Sequence, residues 1–122
     1  MQFLRTIRRH RNILFFFGVC NVNTPAPFIV MEYVARGALN AILQDERIPL
    51  SRARKLSFAL DAATGIRILH ELQPPRIHRD IKSGNLLVAE VCVCVCVCVC
   101  IHRDIKSSNL LVAEVRVEVA GR

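Results

Sequence analysis

The sequence has no tryptophan and one tyrosine, and aromatic residues make up 6% of the chain. That scarcity argues against an RNA-binding sheet, whose surface interleaves aromatic with basic side chains. Long apolar runs are missing too. The longest uncharged one, Val91 to Ile101, falls well short of the ~20 residues a membrane-spanning helix needs. The basic stretch Arg5 to Arg11 is not followed by a clean apolar region with a cleavage site, so no secretory leader is read. The expectation is a soluble, cytoplasmic protein with no membrane partner and with reduced cysteines.

Charge of one sign is also in short supply. Asp and Glu total 10 against 17 Lys and Arg, a formal net charge of +7. Such a balance permits acidic partners. The densest basic cluster, Arg5, Arg8, Arg9 and Arg11, is read as a solvated helix end, and no nucleic-acid partner is expected. The length fits one small domain. Of the 52% apolar residues, ten belong to a Val-Cys tract, so the usable core is poorer than the percentage suggests.

What is present is concentrated in His78-Arg79-Asp80-Ile81-Lys82-Ser83-Gly84-Asn85, followed by Leu86-Leu87-Val88. Ser83 and Gly84 favour a loop, and the apolar run after Asn85 reads as a short buried strand. Such a loop can hold a carboxylate and an amide toward one point. Asp80 can accept a proton from a hydroxyl. Asn85 can bind a hard cation through its carbonyl oxygen. Lys82 offers a compact charge for a phosphoryl group. The stretch recurs as His102 to Val112, with Asp104, Lys106 and Asn109 in the equivalent places.

The pattern resembles the protein-kinase catalytic loop, H-R-D-x-K-x-x-N. The resemblance implies Asp80 as the base that orients the substrate hydroxyl and Asn85 as a magnesium ligand. Lys82 is similar to the residue of serine/threonine-specific kinases. The wording D-I-K-S-x-N resembles the tyrosine-kinase-like group, which includes Raf-type and many plant and protist kinases. The implied function is transfer of the ATP γ-phosphate to protein serine or threonine hydroxyls in signal transduction. ATP and Mg2+ are the implied cofactors, and a protein substrate the implied partner.

The flanks carry the resemblance further. Phe3, Leu4 and Ile7 read as a helix end, and His10-Arg11-Asn12-Ile13-Leu14 is similar to the kinase segment between the C helix and the fourth strand. An ordinary helix end explains that segment equally well. Phe15 to Cys20 and Pro27 to Val34 read as strands around the turn-prone Asn21 to Pro25. By resemblance they are strands four and five of the N-lobe, with Met31 as gatekeeper and Glu32, Tyr33 and Val34 as the adenine-binding hinge. Arg36 to Leu39 matches the step into the D helix.

Ser51 is the expected N-cap of a helix whose apolar face is drawn through Leu56, Ala59, Leu60, Ala63, Ile66 and Leu69. Pro74-Pro75 ends it. It resembles the E helix. His70 is read as a packing residue. Arg76 departs from the family, which carries an apolar residue two before the catalytic histidine. The fold class is α+β: a partial kinase fold of N-lobe strands four and five, hinge, D and E helices and catalytic loop, then an irregular or β tail.

After Val91 the family pattern stops. Instead of reaching Asp-Phe-Gly, whose aspartate holds magnesium, the chain repeats Val-Cys five times to Cys100. Residues 77–91 and 101–115 differ only at Gly84 against Ser108. As a metal site the tract is unfavourable, because its cysteines would stand about 6.6 Å apart along a strand, too far for zinc with ~2.3 Å bonds. Perfect alternation with valine supports a strand, buried or at an edge. The favoured reading is that nothing selected the tract, since a GT dinucleotide repeat encodes this peptide. The expected organisation is a partial kinase domain over 1–90, the low-complexity repeat over 91–100 and the duplicated loop over 101–122. Among the 122 residues there is also no glycine-rich loop with its lysine, so this exact chain is expected to be inactive. The alternatives are a non-catalytic, pseudokinase-like interaction fragment, or a sequence artefact. Only one of the two loops is expected to occupy the loop position, with Asp80 inside it and Asp104 outside.

Overall fold

The structure, a computed structural model, describes residues 7–90 and 92–96, and the backbone of 111–115. Strand β1 (Phe16–Cys20) and β2 (Phe28–Glu32) form an antiparallel hairpin, with Phe16 opposite Met31 and Cys20 opposite Phe28, and an irregularity between Phe16 and Gly18. The turn closes on Asn21, whose φ of 56° is in the left-handed region that asparagine tolerates. The Thr24 amide and hydroxyl both donate to the Asn21 carbonyl. Alternation then buries Ile29 and Met31 while Glu32 faces solvent.

Helix α1 (Leu39–Gln44) buries Leu39 and Ile42. Helix α2 (Arg52–Glu71) starts where the sequence placed its cap, with the Ser51 hydroxyl accepting from the Arg54 amide at 3.1 Å. It stops before Pro74-Pro75 as expected. Its buried face, however, is Phe58, Ala62, Gly65 and Leu69. The face drawn through Leu56, Ala59, Leu60 and Ala63 is corrected: all four are exposed, Leu56 and Leu60 at 62% and 68%. Of that set only Leu69 is fully buried, with Ile66 half-buried. The physical reason is close approach. A Cβ on Gly65 would collide with the Asn12 carbonyl oxygen and lie 2.6 Å from Val95 Cγ2. The helix therefore makes its closest approach to the neighbouring strand at Gly65, with Ala62 beside it and Phe58 and Leu69 buried on the same face. His70 is exposed, which corrects its reading as a packing residue.

That neighbouring strand comes from the Val-Cys tract. β3 (Leu86–Val88) pairs antiparallel with β4 (Val93–Val95), with Leu86 opposite Val95 and Val88 opposite Val93. Val88, Val93 and Val95 are fully buried, and Cys92, Cys94 and Cys96 nearly so. Burying one valine side chain stabilises by about 1.5–3 kcal/mol, so β4 is a core element. Residues 11–14 grip it through the main chain. The Val95 amide donates to the Asn12 carbonyl at 2.9 Å and the Leu14 amide to the Val95 carbonyl at 3.0 Å. The buried Asn12 side chain donates to the Val93 carbonyl at 2.9 Å, and Asp61 of α2 accepts from the Val93 amide at 3.0 Å. The Cys92 and Cys94 thiols both donate to the Arg11 carbonyl. Burial, together with the neighbouring Cys92, pushes the Cys94 thiol up to about 12.

A third strand, β5 (Leu111–Val115), lies parallel to β2, with Phe28 opposite Leu111 and Glu32 opposite Val115. The larger sheet thus runs β1-β2-β5. This is the mixed α+β architecture with strands in the tail.

Candidate functional site

The loop is delivered by α2 and held by β4. After Leu69 the chain folds back, with the Arg76 amide donating to the Leu69 carbonyl at 2.9 Å. Two residues on, His78 is buried at 1% exposure, with its Nε2 2.6 Å from the Cys96 carbonyl oxygen. A carbonyl can only accept, so the proton sits on Nε2. Nδ1 is then the acceptor for the Asp80 amide at 3.2 Å. The imidazole is a structural bridge between the loop and the tract. Arg79 has φ 66°, a left-handed conformation that is costly for a long side chain.

Asp80 is the focus. The Asn85 amide nitrogen donates to both the Asp80 carbonyl oxygen, at 2.8 Å, and its carboxylate Oδ2, at 3.0 Å. Lys82 Nζ lies 3.3 Å from the same Oδ2. Lys82 is the main reason the Asp80 carboxyl is held below its ordinary range, with the Asn85 hydrogen bond acting in the same direction. Both side chains are solvent-exposed, so water screens the pair and its contribution to stability is small. Because the Asn85 N–H groups face Asp80, its carbonyl oxygen points away from the acid. Asn85 closes a single 3-10 turn over Ser83–Asn85, its amide donating to the Lys82 carbonyl at 2.9 Å. Its own carbonyl accepts from the Cys96 amide at 3.0 Å. The tract therefore touches the loop at both His78 and Asn85.

The structure thus brings Asp80, Lys82 and Asn85 together. It ties the segment after Met31 to the same frame. Gly37, at φ 68°, accepts from the Val88 amide at 2.9 Å, and Ala38 bridges Leu87. Met31 is buried, Glu32 and Tyr33 are exposed, and Val34 is half-buried. Asp104, Lys106 and Asn109 lie outside the described residues.

Three residues that hold the site were not singled out from sequence. Asn12, Asp61 and Cys96 act through backbone partners on β4 or the loop. The available signal was a polar residue directly beside apolar ones: Asn12 precedes Ile13-Leu14, and Asp61 sits between Leu60 and Ala62.

The residues fit only part of the group that a phosphoryl-transfer site requires. Asp80 and Asn85 supply oxygens, but among the described residues no three of His, Cys, Asp and Glu converge to hold a metal ion. Between β4 and Cys100 the sequence repeats Cys-Val and offers no carboxylate.

Residues 1–99 match the family model described as "Protein tyrosine and serine/threonine kinase". Over 82 residues the chain is 52% identical to the "Probable serine/threonine-protein kinase drkC" of Dictyostelium discoideum, covering 67% of this chain and 11% of that protein. It is 46% identical over 81 residues to the "Dual specificity protein kinase shkC" of the same organism, covering 66% and 16%. It is 43% identical over 94 residues to the "Serine/threonine-protein kinase CTR1" of Arabidopsis thaliana, covering 71% and 11%. The chain therefore spans a small part of the length of these relatives.

Proposed function

Because the chain belongs to the protein kinase family, we propose that His78 to Asn85 is the half of a serine/threonine kinase site that orients the substrate hydroxyl. Among the described residues it is carried without the further acidic ligand that would complete a metal site. The observation that carries the reading is the convergence of the Asn85 amide and Lys82 on one oxygen of Asp80. Asp80, kept ionised, is suited to accept the hydroxyl proton. Lys82 is placed to neutralise a transferring phosphoryl group, and the Asn85 carbonyl oxygen is a hard ligand for magnesium. Met31 to Val34 form the adenine-facing hinge. ATP and Mg2+ would supply the phosphoryl group and its charge neutralisation. Phosphoryl transfer depends almost wholly on positioning and electrostatics, so an incomplete metal site leaves these 122 residues without turnover. A cytoplasmic location accords with this reading.

Thermal melting with and without MgATP tests it. A ligand at 100 times its Kd stabilises by about 2.7 kcal/mol. A rise of several degrees would show that a nucleotide site is complete here. No shift, together with no phosphate transfer to a protein substrate, is expected. In a longer kinase carrying this loop, Asp80→Ala is expected to lower turnover by about 10²–10⁴-fold, with phosphoserine and phosphothreonine as the products. The name of the dual-specificity relative makes phosphotyrosine the alternative outcome to measure.

A further inference from the structure

The kinase reading uses the backbone of the Val-Cys tract and leaves its thiols without a role. Cys92 and Cys94 lie two apart on one face of the extended chain. Both thiols donate to a single acceptor, the Arg11 carbonyl oxygen, at 3.3 and 3.2 Å. Two sulfurs that meet at one oxygen form a dithiol pair. Both residues are buried, at 6% and 7% exposure. Burial comes first among the effects that hold the proton on Cys94, followed by Cys92 and the acids Glu32 and Asp61.

That environment discriminates between ligand classes. A metal cation takes thiolates and must expel a proton from each sulfur, which burial and the two acids oppose. Zinc also needs four ligands, and among the described residues no three of His, Cys, Asp and Glu converge. A neutral trivalent thiophile avoids both demands, because it condenses with protonated thiols and needs only two of them.

We propose that Cys92 and Cys94 form a binding site for a neutral trivalent arsenic oxyacid, arsenous acid. Two S–H bonds and two As–OH bonds break, two As–S bonds form, and two waters leave carrying the thiol protons. Arsenic stays trivalent, so no oxidant or reductant is consumed, and the adduct is uncharged. Its remaining hydroxyl can donate to the Arg11 carbonyl, which has lost both thiol donors. The flanking Val93 and Val95 pair with β3, and residues 12–14 hold β4 through the main chain. Entry therefore requires local opening of β4, and binding is slow.

The test uses the full chain with Cys20, Cys98 and Cys100 replaced by Ser, incubated with arsenite at neutral pH. Circular dichroism checks the fold. Intact mass is expected to show one adduct, equal to arsenous acid less two waters. In that background Cys92→Ser or Cys94→Ser is expected to lower the affinity at least about a hundredfold, because the second As–S bond is intramolecular. Serine keeps a donor for the Arg11 carbonyl, so the fold is expected to persist. Cys96→Ser is expected to retain the adduct. Arsenite adjusted to the pH of a weakly buffered sample is expected to release no protons on binding. No adduct on the folded chain, or undiminished binding without Cys92 or Cys94, would overturn the site. Loss of the adduct in a folded Cys96→Ser chain would overturn it too, as would proton release or tighter binding of zinc than of arsenite.

Discussion

The two copies of the repeat make an internal experiment. Fourteen of fifteen aligned positions are identical between 77–91 and 101–115, yet the shared strand sequence pairs antiparallel with β4 in one copy and parallel with β2 in the other. Strand propensity is a property of the segment. Its partner and direction are set by what delivers it. The first copy follows a 20-residue helix that stops before two prolines, and His78 and Asn85 then fasten it to Cys96. The second copy follows the Val-Cys tract, whose period of two cannot reproduce a helix face.

The largest expected effect comes from breaking the seat of the first copy. Gly65→Val would drive a side chain into the Asn12 carbonyl and Val95, where the backbone cannot yield cheaply. A loss of about 3 kcal/mol or more is expected from such overpacking, read as a lower urea midpoint. Next is the paired comparison His78→Ala against His102→Ala. The first leaves the buried Cys96 carbonyl without its donor and opens a void, and is expected to cost about 2–4 kcal/mol. The second is expected to cost less than about 0.5 kcal/mol if only the first copy occupies the loop position. Equal costs would mean that the copies share the loop position.

A smaller effect sharpens the comparison at the acid. Asp80 titrates below its ordinary value, chiefly through Lys82. A carboxyl depressed on folding contributes stability that is present above its unfolded pKa and lost as pH falls through the folded value. Lys82→Met is expected to raise the Asp80 midpoint in an NMR titration, and Lys106→Met to leave it unchanged. The smallest effect concerns the thiols. Cys94 titrates near 12 in the fold against 9.0 without its environment. The unfolded chain therefore loses that proton first, and stability is expected to decline as pH rises between those values. Alkylation at neutral pH is expected to reach the exposed Cys20 well before Cys92, Cys94 and Cys96.

The hairpin of β1 and β2, the Ser51 cap, the proline stop and the cluster of Asp80, Lys82 and Asn85 were all legible in the sequence. Each is governed by neighbours a few residues away: turn chemistry, a cap hydroxyl, a missing amide, a tight loop. The face of α2 was misread through Leu56 and Leu60 because counting large apolar residues does not reveal where a backbone must come close. Gly65 and Ala62 mark that place, and their meaning depends on Asn12 and Val95, which are far away in sequence. The tract, favoured as unselected on its composition, supplies β4, because alternating valine fits a strand buried on both faces wherever a pairing edge and a helix are waiting.

Local chemistry in the sequence by itself determined the family and the composition of the loop, since those reside in residue types at fixed short spacings. Only the tertiary structure decided which helix stripe is buried, that the Val-Cys tract becomes the strand anchoring His78 and Asn85, and that one repeated segment joins two different sheets. Those outcomes depend on packing and backbone hydrogen bonds between residues as far apart as Asn12 and Val93, and no short window of sequence contains both partners.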